Sequence, residues 1–204
     1  MRIESKRSRW YFDFDRTLYD TDSFYRLVNN DLISHGHTEK EIHDVKSALD
    51  SYSFSGLLAG LGYTEDQVAE MIGDFHQHFY QGNILLLPNV TQTLSQIAHA
   101  HECHLLTFGD EAFQRAKYDG TSDLHPIMHG THFITHGHTK GEALRDAGEG
   151  TVTFVDDSPE QLLDVHEKAP WVTLIRIMWP KFELTAHPED GKLWNVVTSI
   201  EELI

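Results

Sequence analysis

Apolar positions along the chain fall into two regimes. Trp10-Tyr11-Phe12 is a short apolar run that reads as a strand. After Asp20 the spacing turns helical. Phe24, Leu27, Val28 and Leu32 recur at helix intervals from Ser23 to Ser34, and Gly36 stops the run. Thr38-Glu39-Lys40-Glu41 is a capping box that opens a second helix through Ile42, Val45 and Leu49. Phe54 to Leu61 predicts a third, ended by Gly62. Thr64-Glu65-Asp66-Gln67 opens a fourth, carrying Val68, Met71, Ile72, Phe75 and Phe79. No strand-like alternation interrupts this stretch. It predicts a small all-helical module over residues 20–87, inserted after the first strand.

From Leu87-Pro88 onward helix and strand alternate. Helices are expected over Val90–Ala100, Glu111–Tyr118, Gly141–Ala147 and Ser158–Glu167, the last with a serine cap and a proline at its first position. Strands are expected over His104–Thr107, His132–Thr135, Thr151–Val155 and within Trp171–Met178, with a short strand and helix over Leu193–Ile204. Alternating β and α units imply an α/β core, residues 1–19 and 88–204, whose parallel sheet is covered by helices on both faces. Ligands in such folds bind beyond the C-terminal ends of the strands. The segments flanking Tyr19–Thr21 and Ile84–Pro88 are the expected hinges of the insert.

Composition narrows the function classes. With 204 residues, 40% of them hydrophobic and 24% charged, the chain has the make-up of a soluble globular protein with a sizeable core. No apolar run approaches the roughly eighteen residues that span a bilayer. The basic start, Met1 to Arg9, has no apolar segment behind it and reads as a solvated end. Thirty-two acidic against sixteen basic residues give a formal charge of −16, which argues against nucleic acid or an anionic membrane as partner. An anionic substrate must therefore be drawn in by local positive charge. The single cysteine, Cys103, rules out an internal disulfide, suits a reducing cytoplasm and reads as a buried thiol. Fifteen histidines is a high number. His125, His129, His132, His136 and His138 crowd together, but without a cysteine pair or clean helical spacing for zinc. His76 and His78, two apart, cannot share a helix face and read as surface residues.

The chemistry concentrates in Asp13-Phe14-Asp15-Arg16-Thr17-Leu18-Tyr19-Asp20, directly after the first apolar run. Two carboxylates this close repel each other, and aspartate is disfavoured at strands. The pair persists most easily where a cation or a hydrogen-bond network compensates it. Three further patterns follow in order. Leu105-Leu106-Thr107-Phe108-Gly109-Asp110 is an apolar run reaching a threonine; Lys140 stands in Thr139-Lys140-Gly141-Glu142; and Thr153-Phe154-Val155-Asp156-Asp157-Ser158-Pro159 is a strand ending in paired acids. Together these resemble the four motifs of the haloacid dehalogenase-like (HAD) hydrolase superfamily, most of whose members are magnesium-dependent phosphatases. The likeness extends over nearly the whole chain.

That resemblance implies a Rossmann-like HAD core with a C1-type helical cap that restricts the site to small substrates. It implies a magnesium-dependent phosphatase acting on a small phosphorylated metabolite. Asp13 would be the nucleophile and form an aspartyl-phosphate. Asp15 would protonate the leaving oxygen and then deprotonate water, which requires a carboxyl with a raised or matched pKa. The Thr107 hydroxyl and the Phe108 backbone N–H would bind the phosphoryl oxygens. Lys140 would face both the phosphoryl group and Asp13, with Lys117 its rival for the role. Asp13 and Asp156 would bind Mg²⁺ by carboxylate, Asp15 by its backbone carbonyl, and Asp157 through water. Arg16 occupies a position where glycine is common in relatives. Arg26 is a candidate for a substrate's anionic end, or a solvated helix arginine. A phosphotransferase or mutase would use the same residues, whereas a carbon–halogen hydrolase would not need Asp15, Asp156 and Asp157. A HAD-like binding module without turnover is the alternative outside the enzymes.

Overall fold

A computed structural model describes residues 7–49, 53–71 and 82–204. Residues 1–6, and the expected apolar face through Ile72, Phe75 and Phe79 with His76 and His78, lie outside the described residues.

Six parallel strands form one sheet: β1 (Arg9–Phe12), β2 (Glu102–Phe108), β3 (Met128–Ile134), β4 (Val152–Asp156), β5 (Thr173–Ile177) and β6 (Asn195–Val197). Their order is β3-β2-β1-β4-β5-β6, so successive connections run outward from β1 in opposite directions. The reversal between β1 and β4 is the switch point at which such sheets open a crevice. All five residues of β4 are buried, as a strand covered on both faces requires. Phe12 lies level with Leu105 of β2 and Val155 of β4, so the residues just beyond these positions emerge side by side.

The helices are α1 (Thr21–Ser34), α2 (Glu39–Ala48), α3 (Phe54–Gly60), α4 (described over 65–71), α5 (Val90–Ala98), α6 (Glu111–Asp119), α7 (Lys140–Asp146) and α8 (Pro159–Lys168). The helical stretch expected after the first strand is present, and its described residues contain helices and no strand. Its buried face, Phe24, Val28, Leu32, Ile42, Leu57 and Leu58, is continuous with the core on one side of the sheet. The other side is a separate cluster around Tyr11, Leu106, Phe154, Leu162 and Val165, capped by Leu144 of α7. The two chain crossings between sheet and helical block run side by side. Tyr19 bridges Leu86, the Asp20 N–H donates to the Leu85 carbonyl at 2.7 Å, and the Leu87 N–H to the Leu18 carbonyl at 2.9 Å.

Several boundaries differ from the sequence reading for identifiable reasons. β3 starts at Met128 rather than His132, because an edge strand tolerates the polar, glycine-containing stretch Met128-His129-Gly130-Thr131. A bulge at Cys103/His104 adjusts its register. α1 starts at Thr21 because the Asp20 carboxylate accepts from the Ser23 N–H and caps it. α7 starts at Lys140 because Thr139 and Glu142 form a capping box. The expected C-terminal helix is a single 3₁₀ turn, Ile200–Leu203. Arg9, read as part of a solvated end, opens β1 and donates to the carbonyls of Ala147 and Gly148 at 2.9 and 3.0 Å, a cation at the C-terminus of α7. Cys103 is buried, and burial pushes its thiol up to about 12. No described helix is long and apolar enough to cross a membrane.

Candidate active site

Asp13 leaves β1 with its N–H still bound to the Val155 carbonyl at 2.9 Å, so the strand ladder fixes where its side chain emerges. The chain then turns sharply: the Phe14 carbonyl accepts from the N–H groups of Leu18 and Tyr19, both at 3.0 Å. Arg16 sits in this turn at φ +58°, the left-handed region that glycine enters freely, so an arginine here costs backbone strain of about 1 kcal/mol. The strain is held by contacts. Arg16 donates through Nε and Nη2 to Asp22 of α1 at 3.0 and 2.8 Å and lies over the Phe182 ring.

The two carboxylates of the first motif are compensated by two different lysines. Lys140 Nζ bridges Asp13 Oδ1 at 2.5 Å and Asp156 Oδ2 at 2.7 Å, all three groups buried. Lys117 Nζ meets Asp15 Oδ1 at 2.5 Å. That ammonium has no exposed surface and is enclosed by the rings of Phe14, Tyr19 and Phe113, whose faces favour a cation. Thr21 donates to Asp15 Oδ1 at 2.5 Å and Gln114 Nε2 to Oδ2 at 2.8 Å. The two lysines are thus not rivals for one position; each serves its own carboxylate.

Asp156 ends β4 and accepts from the Ser158 N–H at 2.8 Å, while the Ser158 hydroxyl caps α8. Asp157 is oriented by a residue the sequence reading passed over. Arg176 of β5 is buried and donates to the Asp157 carbonyl at 3.1 Å, to the Thr185 carbonyl at 3.1 Å, and to both carboxylate oxygens of Asp190 at 3.1 and 2.9 Å. An arginine inside the apolar run Trp171–Met178 was the available signal. Gln114 and Thr21 carried none. Lys181 pairs with Asp20, tying the start of α1 to the loop after β5.

Carboxylate oxygens of Asp13, Asp156 and Asp157 lie within 4.8 Å of one another, the one group of three or more metal-ligating side chains found among the described residues. These hard oxygen donors fit a hard divalent cation. The buried Thr107 hydroxyl has no hydrogen-bond partner. The clustered histidines form no comparable group among the described residues.

Burial raises the Asp13 carboxyl to about 7, with Lys140 opposing and the charges of Asp156 and Asp15 adding to the rise. Asp157 rises to about 8 by burial and by the charges of Asp156 and Asp13. Burial works against the Lys140 ammonium, but Asp13 and Asp156 outweigh it and its pKa is raised. Asp15 behaves differently from the expectation of a raised carboxyl. Burial pushes it up, but the Lys117 charge and hydrogen bonds from Lys117, Thr21 and Gln114 outweigh this and hold it below its ordinary value.

These groups surround a cavity of about 450 Å³, roofed from α1 by Thr21, Asp22 and Tyr25. Asp13, Asp15, Lys140, Asp156 and Asp157 all line it, and Phe108 and Gly109 form its wall at the end of β2. Thr107, the residue before Phe108 in β2, is fully buried and does not itself line the cavity. Arg26 is not on the cavity. It donates to the Ser23 hydroxyl at 2.7 Å and lines a separate groove between α1 and α2.

No protein-family model and no curated protein sequence matches the chain. Solved structures do. A HAD hydrolase described as YfnB from Bacillus subtilis, bound to magnesium, matches with a TM-score of 0.66 at 14% identity, covering 98% of this chain and 97% of that one. A protein described as a beta-phosphoglucomutase from Thermotoga maritima matches with a TM-score of 0.67 at 15% identity, over 96% of each chain. L-2-haloacid dehalogenase from Xanthobacter autotrophicus matches with a TM-score of 0.61 at 15% identity, again over 96% of each. The fold is therefore haloacid dehalogenase-like, the matches covering 96–98% of the chain.

Proposed function

We propose that this chain is a magnesium-dependent phosphatase that hydrolyses a small phosphate monoester through an aspartyl-phosphate. One observation carries the reading. Asp13, bridged to Asp156 by Lys140, stands in one cavity with a second carboxylate, Asp15, held by its own lysine. A carbon–halogen displacement needs a carboxylate nucleophile but neither Asp15 nor the acidic group of Asp156 and Asp157. Phosphoryl transfer uses all of them: a nucleophile, a proton carrier, and charge neutralisation around the transferred group.

In this reading an Asp13 carboxylate oxygen bonds to phosphorus as the ester oxygen leaves. Lys140 holds that carboxylate in place and offsets the charge on the phosphoryl oxygens, and the Thr107 hydroxyl donates to one of them. Asp15 carries the proton: to the leaving oxygen in the first half, and from the attacking water in the second. Asp13, Asp156 and Asp157 would hold Mg²⁺, together with the Asp15 carbonyl, and the ion would neutralise negative charge on the phosphoryl group. The block α1–α4 is the proposed cap over residues 20–87, its start fixed by the Arg16–Asp22 and Lys181–Asp20 pairs. Interdomain movement is described for the magnesium-bound B. subtilis protein.

The test is phosphate release from a panel of phosphorylated metabolites with and without magnesium, with Asp13→Asn as control. Release that needs magnesium and vanishes in a folded Asp13→Asn supports the covalent route. Near-normal release in that variant would sink it. Transfer of phosphate between sugar positions, with little release, would favour the mutase. Silence across the panel would favour a binding module.

A further inference from the structure

The charges facing the cavity limit what can be attached to the phosphate. Its wall carries six carboxylates, Asp13, Asp15, Asp22, Asp110, Asp156 and Asp157, against two permanent cations, Arg16 and Lys140. Both cations are already engaged. Lys140 is shared between Asp13 and Asp156, and Arg16 is paired with Asp22. Lys117 lies beneath the floor, spent on Asp15. The remaining polar side chains on the wall include Tyr25, Gln114 and Gln161, which bear no charge at neutral pH, and one histidine, His136, which the pH of the test takes out of play. Other basic groups are committed elsewhere: Arg176 to Asp190, Lys181 to Asp20, and Arg26 to the outer groove. Residues 50–52 and 72–81 contain no lysine or arginine.

Resting on the phosphatase reading, we propose that the substrate is the phosphate ester of an uncharged or cationic alcohol, and that Asp22 enforces this by neutralising Arg16. A bound phosphate meets Lys140 and the acid-held metal site. A second anionic group on the same small molecule would sit among Asp22, Asp110 and the Arg16–Asp22 pair, with no free lysine or arginine among the described lining residues to receive it. Bringing like charges together in a partly enclosed site is strongly unfavourable, and discrimination by repulsion is a common route to specificity. A hydroxyl or an ammonium there meets the carboxylates of Asp22 and Asp110 without that repulsion.

The test compares esters that differ by one carboxylate. Glycerol 1-phosphate is set against 3-phosphoglycerate, and phosphoethanolamine against phosphoserine, using the full chain with magnesium at about pH 8, where histidine in general is uncharged. The expected result is kcat/KM about tenfold or more in favour of the carboxylate-free member of each pair. In Asp22→Asn, Arg16 loses its partner and the ratio should fall toward one. Because it is a ratio within one variant, a general loss of stability does not mimic it. Equal or reversed preference in the unmodified chain, with p-nitrophenyl phosphate still hydrolysed, overturns the inference and leaves the phosphatase reading standing. A preference that Asp22→Asn does not alter removes Asp22 from the role. Failure to hydrolyse any ester, the aryl one included, overturns the phosphatase reading and this inference with it.

Discussion

Asp15 is held in an arrangement that favours its ionised form. Lys117, Thr21 and Gln114 all donate to it, and their sum outweighs burial. An ionised Asp15 is ready to accept a proton from water, but it must gain one before it can protonate a leaving oxygen. The first half of the proposed reaction is therefore where this residue is most exposed to test. Asp15→Asn should slow an alkyl phosphate by about 10²–10⁴-fold in single-turnover phosphorylation, the usual value of a positioned acid. An aryl phosphate, whose leaving group needs little protonation, should lose much less. Equal losses for both would refute proton transfer by Asp15. The variant keeps the Asp15 backbone carbonyl, so magnesium affinity measured by titration should change little.

At the scale of elements, Lys140 is aimed by the way α7 meets α8. Gly141 lies against α8 so closely that a Cβ would come within 2.5 Å of the Asp164 carbonyl oxygen, and its N–H donates to the Asp164 carboxylate at 2.8 Å. Replacing a helical glycine by alanine ordinarily stabilises by about 0.4–1 kcal/mol. Here backbone stands in the way, and overpacking of this kind costs about 1–3 kcal/mol. Gly141→Ala should therefore lower stability in urea unfolding and lower kcat, because α7 must shift and carry Lys140 away from Asp13. An alanine variant as stable and active as the original would show that the helix contact does not aim the lysine. This contact was not legible in the sequence, where Thr139-Lys140-Gly141 reads only as a helix start. What was legible follows a pattern. Periodicity and caps located α2, α3 and α8, and the acids at strand ends located Asp13, Asp15, Asp156 and Asp157 in one cavity. Features that depend on neighbours distant in sequence were hidden: the Lys117–Asp15 pair, 102 residues apart, and the grip of Arg176 on Asp157, 19 apart. β3 was partly hidden because an edge strand need not look apolar.

For the whole molecule, the acid-rich site links stability to pH and, in the proposed function, to metal. The raised carboxyls of Asp13 and Asp157, at about 7 and about 8, mean that the metal-free folded chain keeps protons the unfolded chain has released. Their contribution is complete below the ordinary aspartate pKa, near about 4, and is lost as pH rises through about 7 to 8. The sign for Asp15, Asp20 and Asp190 is opposite, since their lowered pKa values make a contribution that disappears only under acid conditions. Between pH 5.5 and 8.5 the metal-free protein should therefore lose stability, by at most about 1.4 kcal/mol per pH unit for each proton released. In the proposed site magnesium would take the deprotonated carboxylates, so a rise in Tm with added magnesium should grow over the same window. Histidine in general loses its proton over the same range, and the chain has fifteen, so its net charge moves toward the formal −16 as pH rises and adds repulsion unrelated to the site. Asp157→Asn separates the two effects, because it keeps the histidines and removes one of the site's protons. In that variant the metal-free slope should be shallower and the magnesium-induced rise in Tm smaller at high pH. A magnesium effect on Tm that is independent of pH, or larger at pH 5.5 than at 8.5, would mean that these carboxylates do not exchange protons for the metal.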